Sequence, residues 1–308
     1  MKGLSTSWHK LSADRRLSKP QRILWIAFNL FNNALPRIDI DERVRELKFC
    51  LAEHELDELW DRIADTSSPS RRLCDLFWMS LPWPAISTEL TAASVMEVGC
   101  GSGVYGRLLE RTLGECFRSY VGIDIKSNEQ WKDFDAPRFR FEVGTASDAR
   151  RFLLGANLIL TQSALEHFED DLLYFRQVST HVLGSKYPIL QVHLMPSASC
   201  ITTFPWHGIR EYTPRTVSKI TRLFGIETKP YLFWLGGSRC NQIHRKFITW
   251  PLFRYGVDLR YAESAKYLRS LRSAILDDFR GGASNPAFYA LVLASNFKSD
   301  PFALGVSK

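Results

Sequence analysis

The spacing of hydrophobic and polar positions divides the chain into two parts. Up to about residue 90, apolar residues recur mostly at helical spacing, and residues 20–35 are predicted to form an amphipathic helix. From Ala93 onward, short apolar runs alternate with helical segments. This alternation predicts a doubly wound α/β domain with a mostly parallel sheet over residues 91–308, preceded by a helical N-terminal cap over residues 1–90.

Seven strands are predicted in the α/β domain, at 94–98, 120–124, 139–143, 158–161, 189–194, 228–235 and 288–294. Helices are predicted at 104–113, 170–184 and 213–224, the first with Val104, Leu108 and Leu109 on its inner face. Residues 236–285 form an insert before the last strand, with a helix near 263–279. An insert of this length is typical of a lid or a substrate-binding addition.

A glycine-rich turn follows the first of these strands. Glu97 stands two residues before Gly99, and Gly101 and Gly103 follow at alternate positions. Glycines here permit a sharp turn and leave room for a flat ligand against the backbone. Asp124 ends the next strand, where a carboxylate can accept hydrogen bonds from both hydroxyls of a ribose. The pattern therefore predicts a nucleoside site at the carboxyl edge of the sheet.

A dinucleotide is the rival ligand for this turn. Gly101, Gly103 and Gly106 fit the G-x-G-x-x-G fingerprint, and an acid follows at about the required distance. Glu97 favours the other interpretation, because its charge would repel a diphosphate but can hold an ammonium group. We therefore favour a nucleoside that carries an amino acid.

Residues 93–194 resemble the class I S-adenosylmethionine-dependent methyltransferases, and residues 205–224 and 286–296 do so less clearly. The resemblance rests on the turn from Glu97 to Gly103, on Gly122-Ile123-Asp124, and on the run from Leu158 to His167. It implies a seven-stranded sheet with an antiparallel last strand, and S-adenosylmethionine as cofactor. Thr145 departs from the family pattern, which often has an acid there, and the nearest acid is Asp148. The cofactor-binding residues expected are Glu97, Gly99, Cys100, Gly101, Gly103, Asp124, Ile125, Thr145, Ala146 and Gln162.

Methyl transfer depends mainly on alignment, and a hydroxyl acceptor gains from a base with a pKa near neutrality. Histidine is the natural candidate, and we expect His167 first, with His193 and His207 as alternatives. The expected acceptor is a small molecule or a glycan that is methylated on a hydroxyl oxygen. An anionic acceptor is one form of this hypothesis. The residues expected to contact it are Glu166, Trp206, Arg210, Tyr212 and Arg215.

The net charge of +7 is concentrated at the two ends of the chain. Residues 1–38 carry seven basic side chains and one acid, and residues 196–308 carry sixteen basic and seven acidic ones. Beside the apolar stretch 23–31, this excess makes peripheral membrane contact through residues 1–38 an alternative to a packed cap. The six cysteines form no C-x-x-C pair, so we expect free thiols, no metal site and a cytoplasmic protein, with the inner membrane face as an alternative location.

Two other functions stay open at this point. The basic, aromatic region at 234–254 suits an RNA methyltransferase, which salt-dependent RNA affinity would support. A non-catalytic scaffold is the second, and failure to bind any cofactor would support it. No Asp/Asn-Pro-Pro-Tyr/Phe segment occurs, so DNA is not an expected partner.

Overall fold

An eight-stranded sheet forms the centre of the molecule in the computed structural model, which describes residues 5–135, 137–282 and 284–302. The spatial order of the strands is β1-β7-β8-β6-β5-β2-β3-β4. The strands are β1 (Arg45–Lys48), β2 (Ala93–Val98), β3 (Phe117–Asp124), β4 (Phe139–Val143), β5 (Leu158–Gln162), β6 (Ile189–Pro196), β7 (Thr228–Leu235) and β8 (Phe288–Ser295).

The predicted mostly parallel sheet with an antiparallel last strand is confirmed. β8 runs antiparallel to both β6 and β7, and every other neighbouring pair is parallel. The expected count of seven strands is wrong by one, because β1 pairs with the outer edge of β7. Residues 1–90 are therefore not a purely helical cap. The segment Arg45-Glu46-Leu47-Lys48 has no apolar run that would predict a strand, and it is extended because it pairs with β7.

Helices cover both faces of the sheet. The helix predicted at 104–113 matches, except that Val104 at its first turn is exposed rather than inward. The α-helices that the structure describes are α1 (Lys19–Asn32), α2 (Glu53–Trp60), α3 (Pro69–Ser80), α4 (Trp83–Leu90), α5 (Val104–Leu113), α6 (Asp171–Leu183), α7 (Pro214–Thr221), α8 (Ser238–His244), α9 (Trp250–Tyr255), α10 (Leu259–Ala262) and α11 (Ser264–Arg280).

The core consists of two layers, one on each face of the sheet. Neighbouring strand residues alternate between them, so that Val95 packs in the layer of α3, α4, α5 and α11, whereas Met96 packs in the layer of α6 and α7. The central strands are buried on both faces, and β6 and β8 are buried at every position. This leaves only the strand ends available for a ligand.

The N-terminal segment lies across the end of the sheet rather than apart from it. The Thr6 backbone N–H and hydroxyl both donate to the Asp171 carboxylate at the start of α6. In α1, the Trp25 indole N–H donates to the Gly208 carbonyl at 2.9 Å, and Trp25 is completely buried. Among the described residues, none of the helices has the length and apolar character needed to cross a bilayer.

The insert before β8 folds into α8–α11 and closes on the loop that precedes α3. The Arg260 guanidinium donates to the Thr66 carbonyl at 2.7 Å, and the Tyr267 hydroxyl donates to the Ser67 carbonyl at 2.5 Å. These bonds join segments about 200 residues apart in sequence. They form one side of a cleft at the carboxyl edge of the sheet.

Candidate active site

The glycine-rich turn between β2 and α5 has backbone angles that favour glycine. Gly99, Gly101 and Gly103 have φ values of +80°, +53° and +81°. A Cβ atom on Gly99 would lie 2.3 Å from the Ala164 Cβ, whereas one on Gly101 would meet no atom within 4 Å. The Asp124 carboxylate at the end of β3 accepts from the Gly101 N–H at 2.8 Å. Turn and carboxylate thus form a single open cradle.

Glu97 is the buried acid of this cradle, with 1% of the residue exposed. The Tyr120 hydroxyl donates to its Oε2 at 2.5 Å. Burial raises the pKa of Glu97 to about 8, and the Tyr120 hydrogen bond and the Arg71 charge only partly oppose this rise. A cationic group placed beside this carboxyl would stabilise its ionised form.

The remaining residues predicted for the cofactor come from the carboxyl ends of β2 to β5. Cys100 is buried under the turn, and Ile125 is exposed directly after Asp124. Thr145 precedes a 3₁₀ turn that begins at Ala146. The Thr145 N–H and hydroxyl donate to Asp148, so this nearest acid caps the turn. Gln162 ends β5 and accepts a hydrogen bond from the Trp78 indole.

Trp131 also borders the cradle, although no sequence pattern predicts it. Its indole N–H donates to the Gly101 carbonyl at 2.8 Å, and its ring stacks on Phe141 with centroids 5.0 Å apart. It lies in a loop between two predicted strands, where one aromatic residue forms no recognisable pattern. The indole therefore borders the glycine turn on the side of β3 and β4.

The position of the cradle in the sheet identifies the fold. β2 carries the glycine turn. On one side of it lie β3 and β4, and on the other lie β5, β6, β8 and β7 in that order, with β8 antiparallel to its two neighbours. The fold is that of the class I methyltransferases. β1 extends this methyltransferase fold by one strand at its far edge.

Comparison with solved structures finds only distant similarity. A SAM-dependent methyltransferase from Archaeoglobus fulgidus is 17% identical with a TM-score of 0.44, over 79% of this chain and 100% of that one. The plantazolicin methyltransferase BamL is 14% identical with a TM-score of 0.41, over 79% and 95%. The [4+2]-cyclase SpnF is 10% identical with a TM-score of 0.41, over 70% and 80%. Comparison with protein-family models and with curated proteins finds no match.

A cleft of about 450 Å³ opens at the same edge of the sheet. One group of lining residues comes from the loop and first turn of α3, a second from the segments after β5 and β6, and a third from the insert and β8. The lining residues are Thr66, Ser67, Ser68, Ser70, Arg71, Ser163, Glu166, Pro196, Phe204, His207, Arg260 and Phe288. The cleft is therefore rich in hydroxyls and carries two arginines.

Glu166, His167 and His207 form a compact group at this cleft, which we call the Glu–His cluster. The Glu166 Oε1 lies 3.7 Å from the His207 Nε2 and 3.9 Å from the His167 Nε2. The His167 Nδ1 contacts the Asp14 Oδ1 at 2.5 Å. The Glu166 carboxylate raises the pKa of His207, with burial opposing it. All three residues of the cluster are predicted site residues, whereas the contact with Asp14 is not evident from the sequence.

The loops after β5 and β6 hold the cluster, and each contains a residue with strained backbone. Ser163 at the start of the first loop and Trp206 in the second have φ values of 49° and 65°, which are unfavourable for residues with a Cβ. The Ile209 N–H donates to the Glu166 carbonyl at 2.6 Å. The backbone thus fixes His207 against Glu166.

His193 does not belong to this site, contrary to expectation. It lies within β6, fully buried, with its Nδ1 3.0 Å from the Thr161 hydroxyl and its ring against Phe175. Burial lowers its pKa to about 3, so it is a neutral core residue. The prediction failed because β6 continues to Pro196 and keeps His193 away from the strand end.

Arg210 and Tyr212 are also structural rather than cleft-facing. Both are buried; Arg210 donates to backbone carbonyls of residues 165–169 and to the hydroxyls of Ser5 and Ser7. The Tyr212 hydroxyl donates to the carbonyl of residue 165. These bonds leave Arg210 with no free face for an acceptor.

Trp206 and Arg215 lie outside the cleft lining. Trp206 donates from its indole to the Arg22 carbonyl at 3.2 Å and contacts Phe253 of α9. Arg215 is at the start of α7, where its N–H donates to the Pro36 carbonyl. Trp206 therefore connects α1 to the insert, and Arg215 connects α7 to the segment after α1.

Proposed function

We propose that the protein is an S-adenosylmethionine-dependent methyltransferase acting on a hydroxyl oxygen of a small molecule or glycan. The observation that carries this proposal is the cradle, in which an open glycine turn lies between two carboxylates of different environment. When bound, S-adenosylmethionine supplies an electrophilic methyl group on a positively charged sulfur. The chain supplies binding and alignment.

The donors of the cradle fit this ligand. Glu97 is buried and suits an ammonium group, whereas Asp124 is partly exposed and suits a ribose diol. Gly101 leaves space that a Cβ would reduce, and Ile125 offers an exposed apolar face for an adenine ring. An ammonium group would stabilise the ionised form of the Glu97 carboxyl, whereas a diphosphate would not, and this disfavours a dinucleotide.

The cleft supports a polar, hydroxyl-bearing acceptor. Ser67, Ser68 and Ser70 offer hydroxyl groups, and Arg71 in the first turn of α3 offers a charge for an anionic substituent. The acceptor oxygen would lie against Glu166 and His207, where loss of its proton is favoured by a carboxylate-supported imidazole.

Calorimetry with S-adenosylhomocysteine tests the cofactor. Asp124→Ala should weaken binding by about 2–4 kcal/mol, because two charge-assisted hydrogen bonds are lost. Glu115→Gln, which removes an exposed acid of the same domain, should leave binding unchanged. Tight binding of NAD with no response to S-adenosylhomocysteine would refute the proposal.

Turnover tests the acceptor side, using release of S-adenosylhomocysteine from a panel of hydroxylated compounds. His207→Ala should lower turnover by roughly 10²–10⁴-fold and leave cofactor binding intact. His54→Ala replaces an exposed histidine elsewhere and should change neither quantity. Arg71→Gln should mainly raise the KM of an anionic acceptor. Unchanged turnover in His207→Ala would contradict this placement of the acceptor.

We further propose that the face formed by α1 and α9 contacts an anionic membrane surface. Ile23 and Phe31 of α1 are exposed apolar residues, as are Trp250 and Phe253 of α9, and Trp206 connects the two helices. The basic excess of residues 1–38 complements anionic headgroups. Flotation with anionic vesicles at low salt should show binding that Phe31→Asp weakens. Leu154→Asp, at an exposed leucine outside α1 and α9, should leave binding unchanged. Equal binding of both variants would refute the contact.

A further inference from the structure

We infer that the Glu–His cluster binds one divalent transition-metal ion of the class preferred by imidazole and carboxylate ligands, such as Zn²⁺ or Co²⁺. One ligand atom from each of Glu166, His167 and His207 lies within 4.8 Å of the other two. Ligands of a tetrahedral zinc ion at about 2.1 Å are roughly 3.4 Å apart. The Glu166 Oε1 is already 3.7 and 3.9 Å from the two imidazole nitrogens, so small side-chain movements complete the site.

The state of Glu166 is the second observation that points to a cation. Its side chain is 1% exposed, and neither carboxylate oxygen has a hydrogen-bond partner. A buried carboxylate without hydrogen bonds is costly, and a cation held between Glu166 and the two imidazoles would compensate its charge.

Asp14 prepares His167 for this role. A carboxylate only accepts hydrogen bonds, so the 2.5 Å contact between the Asp14 Oδ1 and the His167 Nδ1 assigns the proton to Nδ1. In the neutral imidazole, the Nε2 that faces Glu166 then carries the lone pair that a metal ion needs. Histidine ligands of metal ions are typically oriented by such a carboxylate.

The site would retain an open coordination position. Glu166 and His207 line the cleft, so a ligand from the cleft could complete the coordination. Three protein ligands with one open position are typical of catalytic rather than structural zinc sites. An acceptor hydroxyl bound there would lose its proton to solvent more readily, and His207 would then act as a metal ligand in place of the role as base proposed above. Metal binding itself is independent of the proposed methyl transfer.

Calorimetry with ZnCl₂ on the full-length, chelator-treated protein tests this inference. Cys50→Ser is included in every variant, because Cys50 is an exposed thiol that could bind zinc. We expect one ion per chain, and cobalt substitution should give the strong visible absorption of a tetrahedral site. Asp14→Asn should weaken binding by about 10–100-fold, and Glu166→Gln or His207→Ala should weaken it more. His54→Ala should have no effect.

Circular dichroism and thermal unfolding confirm that each variant is folded before titration. Absence of saturable zinc binding in the parent protein would overturn the inference, as would binding that persists unchanged in both Glu166→Gln and His207→Ala. S-Adenosylhomocysteine binding is measured in the same samples. A protein that binds the cofactor but no zinc refutes the metal site alone, and one that binds zinc but no cofactor refutes the proposed function alone.

Discussion

Replacing Glu97 by glutamine tests the electrostatics of the cradle most directly. Burial raises the pKa of Glu97 from 4.5 to about 8, so about nine-tenths of the carboxyl groups are protonated at pH 7 in the free protein. Since one pKa unit corresponds to about 1.4 kcal/mol, ionising this carboxyl inside the protein costs on the order of 5 kcal/mol more than in water. The ammonium group of the cofactor would favour the ionised form and so expel this proton.

Cofactor affinity should therefore increase with pH. With a pKa of about 8 for Glu97, the dissociation constant of S-adenosylhomocysteine should fall by about ninefold between pH 6 and pH 7, by about fivefold between pH 7 and pH 8, and then level off. Calorimetry in buffers of different ionisation enthalpy should detect release of about 0.9 proton at pH 7, as expected for a group with a pKa of about 8.

Two variants separate Glu97 from other titrating groups. Glu97→Gln should abolish both the pH slope and the proton release, while Asp124→Asn should weaken binding and keep the slope. If the wild-type protein binds with the same affinity at pH 6 and pH 8, or if Glu97→Gln keeps the slope, then Glu97 does not pair with the ligand ammonium group.

Three further outcomes follow from the packing of the site. Glu97→Gln should also alter stability, because the raised pKa of Glu97 makes the wild-type fold less stable as pH rises from 4.5 to 8. Thermal unfolding should therefore show the variant becoming more stable relative to the wild type over that range. A difference in unfolding free energy that stays constant with pH would contradict this. Gly99→Ala should cost at least about 2 kcal/mol in urea unfolding, because its Cβ would lie 2.3 Å from that of Ala164 at a positive φ; a neutral result would mean that the turn relaxes freely. His193→Leu should lower stability by about 1–3 kcal/mol, since Thr161 loses its partner, while kcat stays unchanged; a large loss of kcat in a folded variant would restore His193 as a catalytic candidate.

The sheet could be predicted largely from periodicity, since its central strands are short apolar runs between glycines and helices. Strands β4 and β7 match the predicted bounds, and the glycine turn fixed the location of the cradle. β1 could not be predicted in this way. It has four residues, of which only Leu47 is apolar, and its conformation depends on pairing with β7.

The acceptor side was less predictable, because its side chains meet through tertiary contacts. Arg210 looks like an anion-binding residue in sequence, but the carbonyl groups of the neighbouring loop use its donors. Arg71 lies in a helix that shows no motif, and only folding brings it to the cleft. Asp14 is more than 150 residues from His167, so no spacing rule could associate them.

Two walls of the cleft, formed by the loop before α3 and by the insert, are joined at Thr66 and Arg260. Their position affects how related proteins can diverge. Both walls lie outside the segment from Glu97 to Asp124. Except at Arg71, whose charge acts on Glu97, a mutation in either wall can therefore alter the shape available to an acceptor without changing the cradle. Selection can therefore change the substrate of a descendant protein while its most recognisable motif stays intact. Homologues that share the glycine turn but differ at residues 66–70 and near residue 260 are accordingly expected to act on different compounds.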